Sequence, residues 1–201
     1  MNVTTTSHDA RKHILDMARP LFARRGFTSV GLAELLTAAQ VPKGSFYHYF
    51  RSKEAFGEAV LDAYFADYLA GMDRLLAEPG TAADRLMAYF RDWLDSQTDQ
   101  EAQGRCLAVK LGAEVCDLSE DMRRALARGT GGVTRRLERC LDEGLADGSL
   151  PARAGAPDTR TVALTLYQNW LGAGLLAKIA GDRTPLDVAM DDTRRRLGLA
   201  P

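Results

Sequence analysis

The sequence predicts an all-α protein of about nine helices, a small basic N-terminal part followed by a larger acidic body. Three observations carry that expectation. Apolar residues recur at three- and four-residue intervals along most of the chain. Alternating runs of Val, Ile and Thr, the mark of half-buried strands, are absent. Capping and stop residues punctuate the periodic stretches where helices should begin and end. Hydrophobic residues make up 46% of the 201, enough for a packed core, while 7 Pro and 18 Gly exclude collagen-like repeats and a wholly unstructured chain.

The first helix spans about 8–25, with Ile14, Leu15, Ala18, Leu21 and Phe22 on one stripe and Gly26 as its stop. Pro20 inside it removes one backbone hydrogen bond, which predicts a slight kink. A short helix follows at about 32–39, LAELLTAA. After QVPKG comes a second short helix through SFYHYF, with Pro42 in its first turn, where the missing N–H is harmless. Ser52 can cap a fourth helix to about 77, built on Phe56, Val60, Tyr64, Tyr68, Met72 and Leu75 and ended by Glu78-Pro79-Gly80. Further helices are expected at about 81–98, 106–116, 119–147, 157–181 and 185–197. Asp117 and Glu120 have capping-box spacing for the helix at 119–147. RGTGGVT at 128–134 predicts either a break in that helix or close approach of a neighbour or ligand.

The net charge of −1 conceals an asymmetry: residues 1–53 carry +5 and residues 54–201 carry −6. His8, His13 and His48 also lie in the basic part, so a polyanion is the expected partner of the N-terminal segment. Cys106, Cys116 and Cys140 show no CxxC spacing, and no apolar leader precedes the first helix, which together predict a cytoplasmic protein. The apolar stretch 162–181 carries Gln168 and Asn169 near its middle and Lys178 near its end. Those residues favour a buried or subunit-interface helix over a membrane span.

LAELLTAA, QVPKG and SFYHYF form a helix-turn-helix, whose second helix belongs in a DNA major groove. Phe46 and Phe50, four apart, should pack against the first helices. Lys43, Ser45, Tyr47 and His48 then project toward DNA, and Gly44 allows the backbone a close approach. Lys53 lies in the first turn of the fourth helix, where free N–H groups attract phosphate.

RGFTSVGLAELLTAAQVPKGSFYHYFRSKEAF resembles the DNA-binding head of the TetR family of regulators over roughly residues 10–56. The resemblance implies DNA contacts at Lys43, Gly44, Ser45, Tyr47, His48, Tyr49 and Lys53. It also implies a helix-turn-helix DNA-binding domain at 8–53 and a sensing and dimerisation domain at 54–201. Gly31 departs from the family, which often has Ser or Thr as the cap of the second helix. The partners implied are a palindromic operator DNA, reached by a homodimer through the 162–181 helix and its neighbour, and a small inducer.

In the body, GRCLAVKLGAEVCDLSEDMRR at 104–124 is the informative stretch. Cys106 is either a small core residue or a reactive thiol; its place at a helix start and Arg105 beside it both favour thiolate. Cys116, on the run AEVCDL, is expected to be structural, and Cys140 carries no further cue. This stretch and NWLGAGLLAKI at 169–179 resemble the NemR-type repressors within the family, which respond to electrophiles and reactive chlorine. That likeness implies Cys106 as the sensor, with Lys178 near it; independently, a lysine within an apolar helix wants an anionic partner or a route to the surface.

An alternative keeps the DNA binding but uses a reversible apolar inducer, with Trp93, Tyr167 and Trp170 lining its pocket. Enzyme activity is not expected: no histidine of the body partners Cys106, GTGG does not form a phosphate loop before a strand, and neither a cofactor motif nor a metal-ligand cluster occurs.

Overall fold

A computed structural model describes residues 7–98, 106–152, 155 and 157–199. The described residues form nine α-helices and no strand. In order they are α1 Ser7–Arg25, α2 Leu32–Ala39, α3 Lys43–Tyr49, α4 Lys53–Leu76, α5 Ala82–Thr98, α6 Leu107–Leu118, α7 Glu120–Ala146, α8 Thr159–Ala180 and α9 Thr184–Leu197.

Local chemistry sets the ends of these helices. Gly26 stops α1 in the left-handed region at φ +85°, its N–H bonded to Phe22 O at 2.9 Å. Gly31 caps α2 with backbone alone. Gln40 closes α2 in the left-handed region at φ 54°, a conformation that a side chain adopts at some cost. Pro42 is the N-cap of α3, one position before the expected first turn. Ser52 caps α4 as expected, its Oγ accepting the Ala55 N–H at 3.1 Å.

Two sequence expectations about α7 are settled by its neighbours. The Asp117–Glu120 capping box does not form; Ser119 caps instead, its Oγ accepting from Met122 N–H at 3.3 Å. The Glu120 carboxylate is drawn away to Arg123 and Arg124. RGTGGVT is close approach and not a break, since α7 runs through it unbroken. A Cβ at Gly129 would fall 2.1 Å from Phe65, and one at Gly132 would fall 2.7 Å from Leu69.

The chain packs as two compact units, Met1–Asp67 with Gly104–Gly129 and Tyr68–Gln103 with Thr130–Pro201. The first unit is larger than the basic segment ending at residue 53, because it also takes the start of α4, all of α6 and the start of α7. Its core gathers Phe22, Phe46, Phe50 and Phe56 with Leu111 and Val115 of α6. The second unit centres on Phe90, Trp93 and Trp170. Trp170 stacks on Phe90 with ring centroids 5.0 Å apart and donates its Nε1–H to Thr193 Oγ1 at 2.9 Å. That bond joins α8 to α9 and satisfies a buried indole. No helix among the described residues is long and apolar enough to cross a membrane.

Candidate nucleic-acid interface and thiol site

The aromatic cluster on α3 divides as helical geometry requires. Phe46 and Phe50 are buried, at 0% and 3% exposure, and meet Phe56 of α4 at 5.2 and 4.8 Å between centroids. Tyr47, 49% exposed, and His48 project outward, while Tyr49 is half-buried. Lys43 and Gly44 are exposed and Ser45 is half-buried. Lys43 Nζ lies 6.0 Å from the Tyr47 ring centroid, so cation and ring share one outer face. Gly44 is a glycine the fold does not require. A Cβ there would meet nothing within 4 Å, and its φ is not positive.

Lys53 begins α4 as expected, but its ammonium is not free in solution. Nζ donates to Phe27 O at 2.8 Å and Thr28 O at 3.5 Å and lies 4.5 Å from the Phe27 ring centroid. Burial lowers its pKa, opposed by the nearby carboxylates of Glu54 and Glu114. The same corner is held on its other side. The amides of Phe27 and Thr28 donate to Glu114 of α6 at 3.0 and 2.7 Å. Neither tie was foreseen from sequence, because both join positions far apart in the chain; Gly26 beside them was the one local signal.

Cys106 is the N-cap residue of α6 and is half-buried. Burial pushes its thiol pKa up; the N–H groups of Val109 and Ala108 and the Tyr64 hydroxyl act against that rise without reversing it. The sulfur closes no full capping hydrogen bond. The helix start is where the sequence placed it, yet the resting thiol is shifted away from thiolate, opposite to the expectation from sequence. Arg105, half of that expectation, lies outside the described residues. Tyr64, contributed by α4, is a member of this site that sequence inspection missed; its helical stripe had suggested core packing alone.

Of the other cysteines, Cys116 departs from its expectation, while for Cys140 the sequence carried no cue. Cys116 is exposed and not structural. Leu107, Leu111 and Val115 form the buried seam of α6, and the next position turns about 100° away from it. Cys140 is buried, its Sγ 3.5 Å from Ala82 O, and burial pushes its pKa up to about 11. Lys178 is exposed in the last turn of α8, within the second unit, so burial creates no demand there for an anion. Trp93, Tyr167 and Trp170 are brought together, but as packed core. Trp93 lies 5.9 Å from Tyr167 and 5.8 Å from Trp170, and all three are buried. Among the described residues no group of His, Cys, Asp and Glu is placed to hold a metal ion.

Comparison with known proteins agrees with this architecture. Residues 14–60 match the family of bacterial regulatory proteins called tetR, and residues 82–193 match the tetracyclin repressor-like C-terminal domain. The chain is 46% identical over 186 residues to the HTH-type transcriptional repressor NemR of Escherichia coli (strain K12), covering 92% of each protein. It is 34% identical over 178 residues to the HTH-type transcriptional repressor DhaR of Mycobacterium sp. (strain GP1), covering 88% of this chain and 86% of that one. The crystal structure of the reduced form of E. coli NemR superimposes with a TM-score of 0.88 at 44% identity, covering 94% of this chain and 96% of that chain. With both halves matched in their expected order, the chain belongs to the TetR family of bacterial regulators.

Proposed function

We propose that the chain is a homodimeric, DNA-binding transcriptional repressor that leaves its operator when an electrophile or reactive chlorine species modifies Cys106. The observation that carries the DNA-binding part is the division of α3. Its phenylalanines anchor the helix, and Lys43, Gly44, Tyr47 and His48 face outward. A glycine within a helix costs about 1 kcal/mol relative to alanine, so one with no structural need on that outer face suits close approach of DNA. Ser45 and Tyr49, both half-buried, flank this surface. The head would occupy residues 8–53 and the sensing and dimerising body residues 54–201.

The dimer face is proposed on α8 and α9. Leu164, Leu175, Leu176, Ile179 and Val188 are each more than 40% exposed on these two helices, a run of large apolar side chains that a partner subunit would cover. A two-fold pair suits a palindromic operator.

Similarity to the NemR repressor of E. coli supports Cys106 as the sensor. The thiol must lose its proton for sulfur to attack an electrophilic carbon. The N–H groups of Ala108 and Val109 stabilise the thiolate as it forms. With a maleimide, the C–S bond forms as the C=C bond opens and its other carbon takes a proton from water. The adduct adds bulk between the start of α6 and Tyr64 of α4, the helix that leads into the head. The reversible-inducer alternative loses its proposed lining, since Trp93, Tyr167 and Trp170 pack on one another.

The test is operator release under an electrophile such as N-ethylmaleimide, followed by fluorescence anisotropy. Cys106→Ser should stay bound, while Cys116→Ser and Cys140→Ser should release like wild type. Release of Cys106→Ser as readily as wild type would sink the covalent-sensor reading. Lys178→Met, the second proposed sensor residue, should impair the response to hypochlorous acid more than the response to the alkylator.

A further inference from the structure

We infer that Glu114 is the positioning residue through which α6 moves the DNA-reading head, by holding the two backbone amides of the α1–α2 corner. This rests on the proposal that the signal enters at Cys106. Cys106 and Glu114 stand on one short helix, α6, eight positions apart, which is about 12 Å along its axis. A stiff helix of this length carries a displacement from one end to the other.

The grip itself is specific in shape. Each carboxylate oxygen of Glu114 takes one amide, Oε2 from Phe27 at 3.0 Å and Oε1 from Thr28 at 2.7 Å. The corner is built to admit them. Gly26 adopts φ +85°, and a Cβ there would stand 2.8 Å from Oε2. Glycine at that position therefore serves both the turn and the carboxylate. Burial works against the ionised form of Glu114, but hydrogen bonds from Thr28 and Phe27 outweigh it and lower the pKa.

The buried apolar contacts of α6 differ in kind. Leu107, Leu111 and Val115 form its buried seam. Apolar contacts are non-directional and tolerate a small slide. A charge-assisted pair of hydrogen bonds is directional and weakens steeply with misalignment. When α6 shifts, the seam can slip while Glu114 pulls Phe27 and Thr28 with it. The opposite side of those two residues is held by Lys53, through their carbonyl oxygens. A pull on the corner is thus delivered to the first residue of α4 and to the N-terminus of α2.

A double-mutant cycle tests this without any electrophile. Cys106→Trp imitates the bulk of an adduct, and operator affinity is measured for wild type, Cys106→Trp, Glu114→Gln and the double variant. Circular dichroism checks that each is folded, and Cys106→Phe repeats the cycle should Trp prevent folding. The expected result is that the position-106 substitution weakens operator binding by about tenfold or more with Glu114 present, and by less than about threefold in the Glu114→Gln background. A purely structural role for Glu114 would leave the two factors equal, and equal factors overturn the inference. So does a position-106 substitution that leaves affinity unchanged, or a Glu114→Gln protein that is folded but does not bind operator. Failure of the covalent-sensor proposal is read separately, from wild type and Cys106→Ser challenged with electrophile.

Discussion

Gly129 and Gly131 lie two positions apart in α7, and the same substitution at each should change stability in opposite directions. Alanine gains about 1 kcal/mol over glycine in a helix interior, at either position. At Gly129 the added methyl would fall 2.1 Å from ring carbons of Phe65. That ring is only 4% exposed and has Tyr64 against it at 5.0 Å between centroids, so it has little room to withdraw. Overpacking of this kind costs about 1–3 kcal/mol, and so severe an overlap belongs near the upper end. The net loss is then about 1–2 kcal/mol.

At Gly131 the methyl would meet only Arg135 Nη1 at 3.3 Å, the far end of a flexible side chain. The propensity gain survives there at about 0.5–1 kcal/mol. For a chain of this size 1 kcal/mol moves the melting temperature by about 2–4 °C. Gly129→Ala should melt several degrees below wild type and Gly131→Ala one to a few degrees above it, by about those increments. Thermal melts followed by circular dichroism at one fixed protein concentration measure both, since dimerisation would make the midpoint concentration-dependent. Shifts of the same sign at both positions, or an unchanged Gly129→Ala, would refute the close-approach account.

Cys140 predicts a pH signature. Its folded pKa is raised to about 11 from an ordinary 9.0, so its contribution is fully present below about 9 and lost as pH rises toward 11. Two units at about 1.4 kcal/mol each make about 3 kcal/mol, and Cys140→Ala should show a flatter stability curve over that interval; parallel curves would count against a buried thiol. Lys53→Ala should weaken operator and random DNA alike and reduce the log–log salt slope by about 0.9 if the ammonium swings from Phe27 O to a phosphate. An unchanged slope with a lower melting temperature would confine Lys53 to holding the corner. Leu175→Arg should give folded monomers by sedimentation and poor operator binding, because Leu175 is 46% exposed on α8 whereas Leu171 packs partly against the core. Retained dimers would move the interface elsewhere.

Helices and the outward face of α3 were legible in the sequence because both follow from spacing. Phe46 and Phe50 share a face by virtue of being four apart, and no tertiary fact is needed to say so. Helix ends were legible where one residue decides them, as with Gly26 and Ser52. The cap of α7 was not, because Asp117, Ser119 and Glu120 all offer oxygen within four positions. The winner depended on Arg123 and Arg124 drawing Glu120 away. Cys116 was misjudged for a related reason: it follows the apolar Val115 directly, and only the seam through Leu111 and Val115 shows that the cysteine faces out. The corner held by Glu114 and Lys53 was invisible, since hydrogen bonds across 87 and 26 positions leave no trace in local pattern.

The same distinction between local and tertiary causes bears on the proposed sensor, Cys106, whose thiol pKa is raised by burial. Thiolate is the nucleophile, so a raised pKa cuts the thiolate population about tenfold for each unit and slows casual modification by a smaller factor. Cys116 is exposed and stands in the last turn of α6, away from the donors at that helix's start. Cys140 is enclosed by the second core, with Ala82 O accepting its S–H. Cys106 alone combines partial access with donors positioned for the ion: two helix N–H groups and the Tyr64 hydroxyl already act against the effect of burial. A local opening that readmits water would remove the desolvation penalty and leave those donors in place. On the proposed function, selectivity rests on such an opening at the α6 N-terminus, the start of the same helix that Glu114 ties to the head.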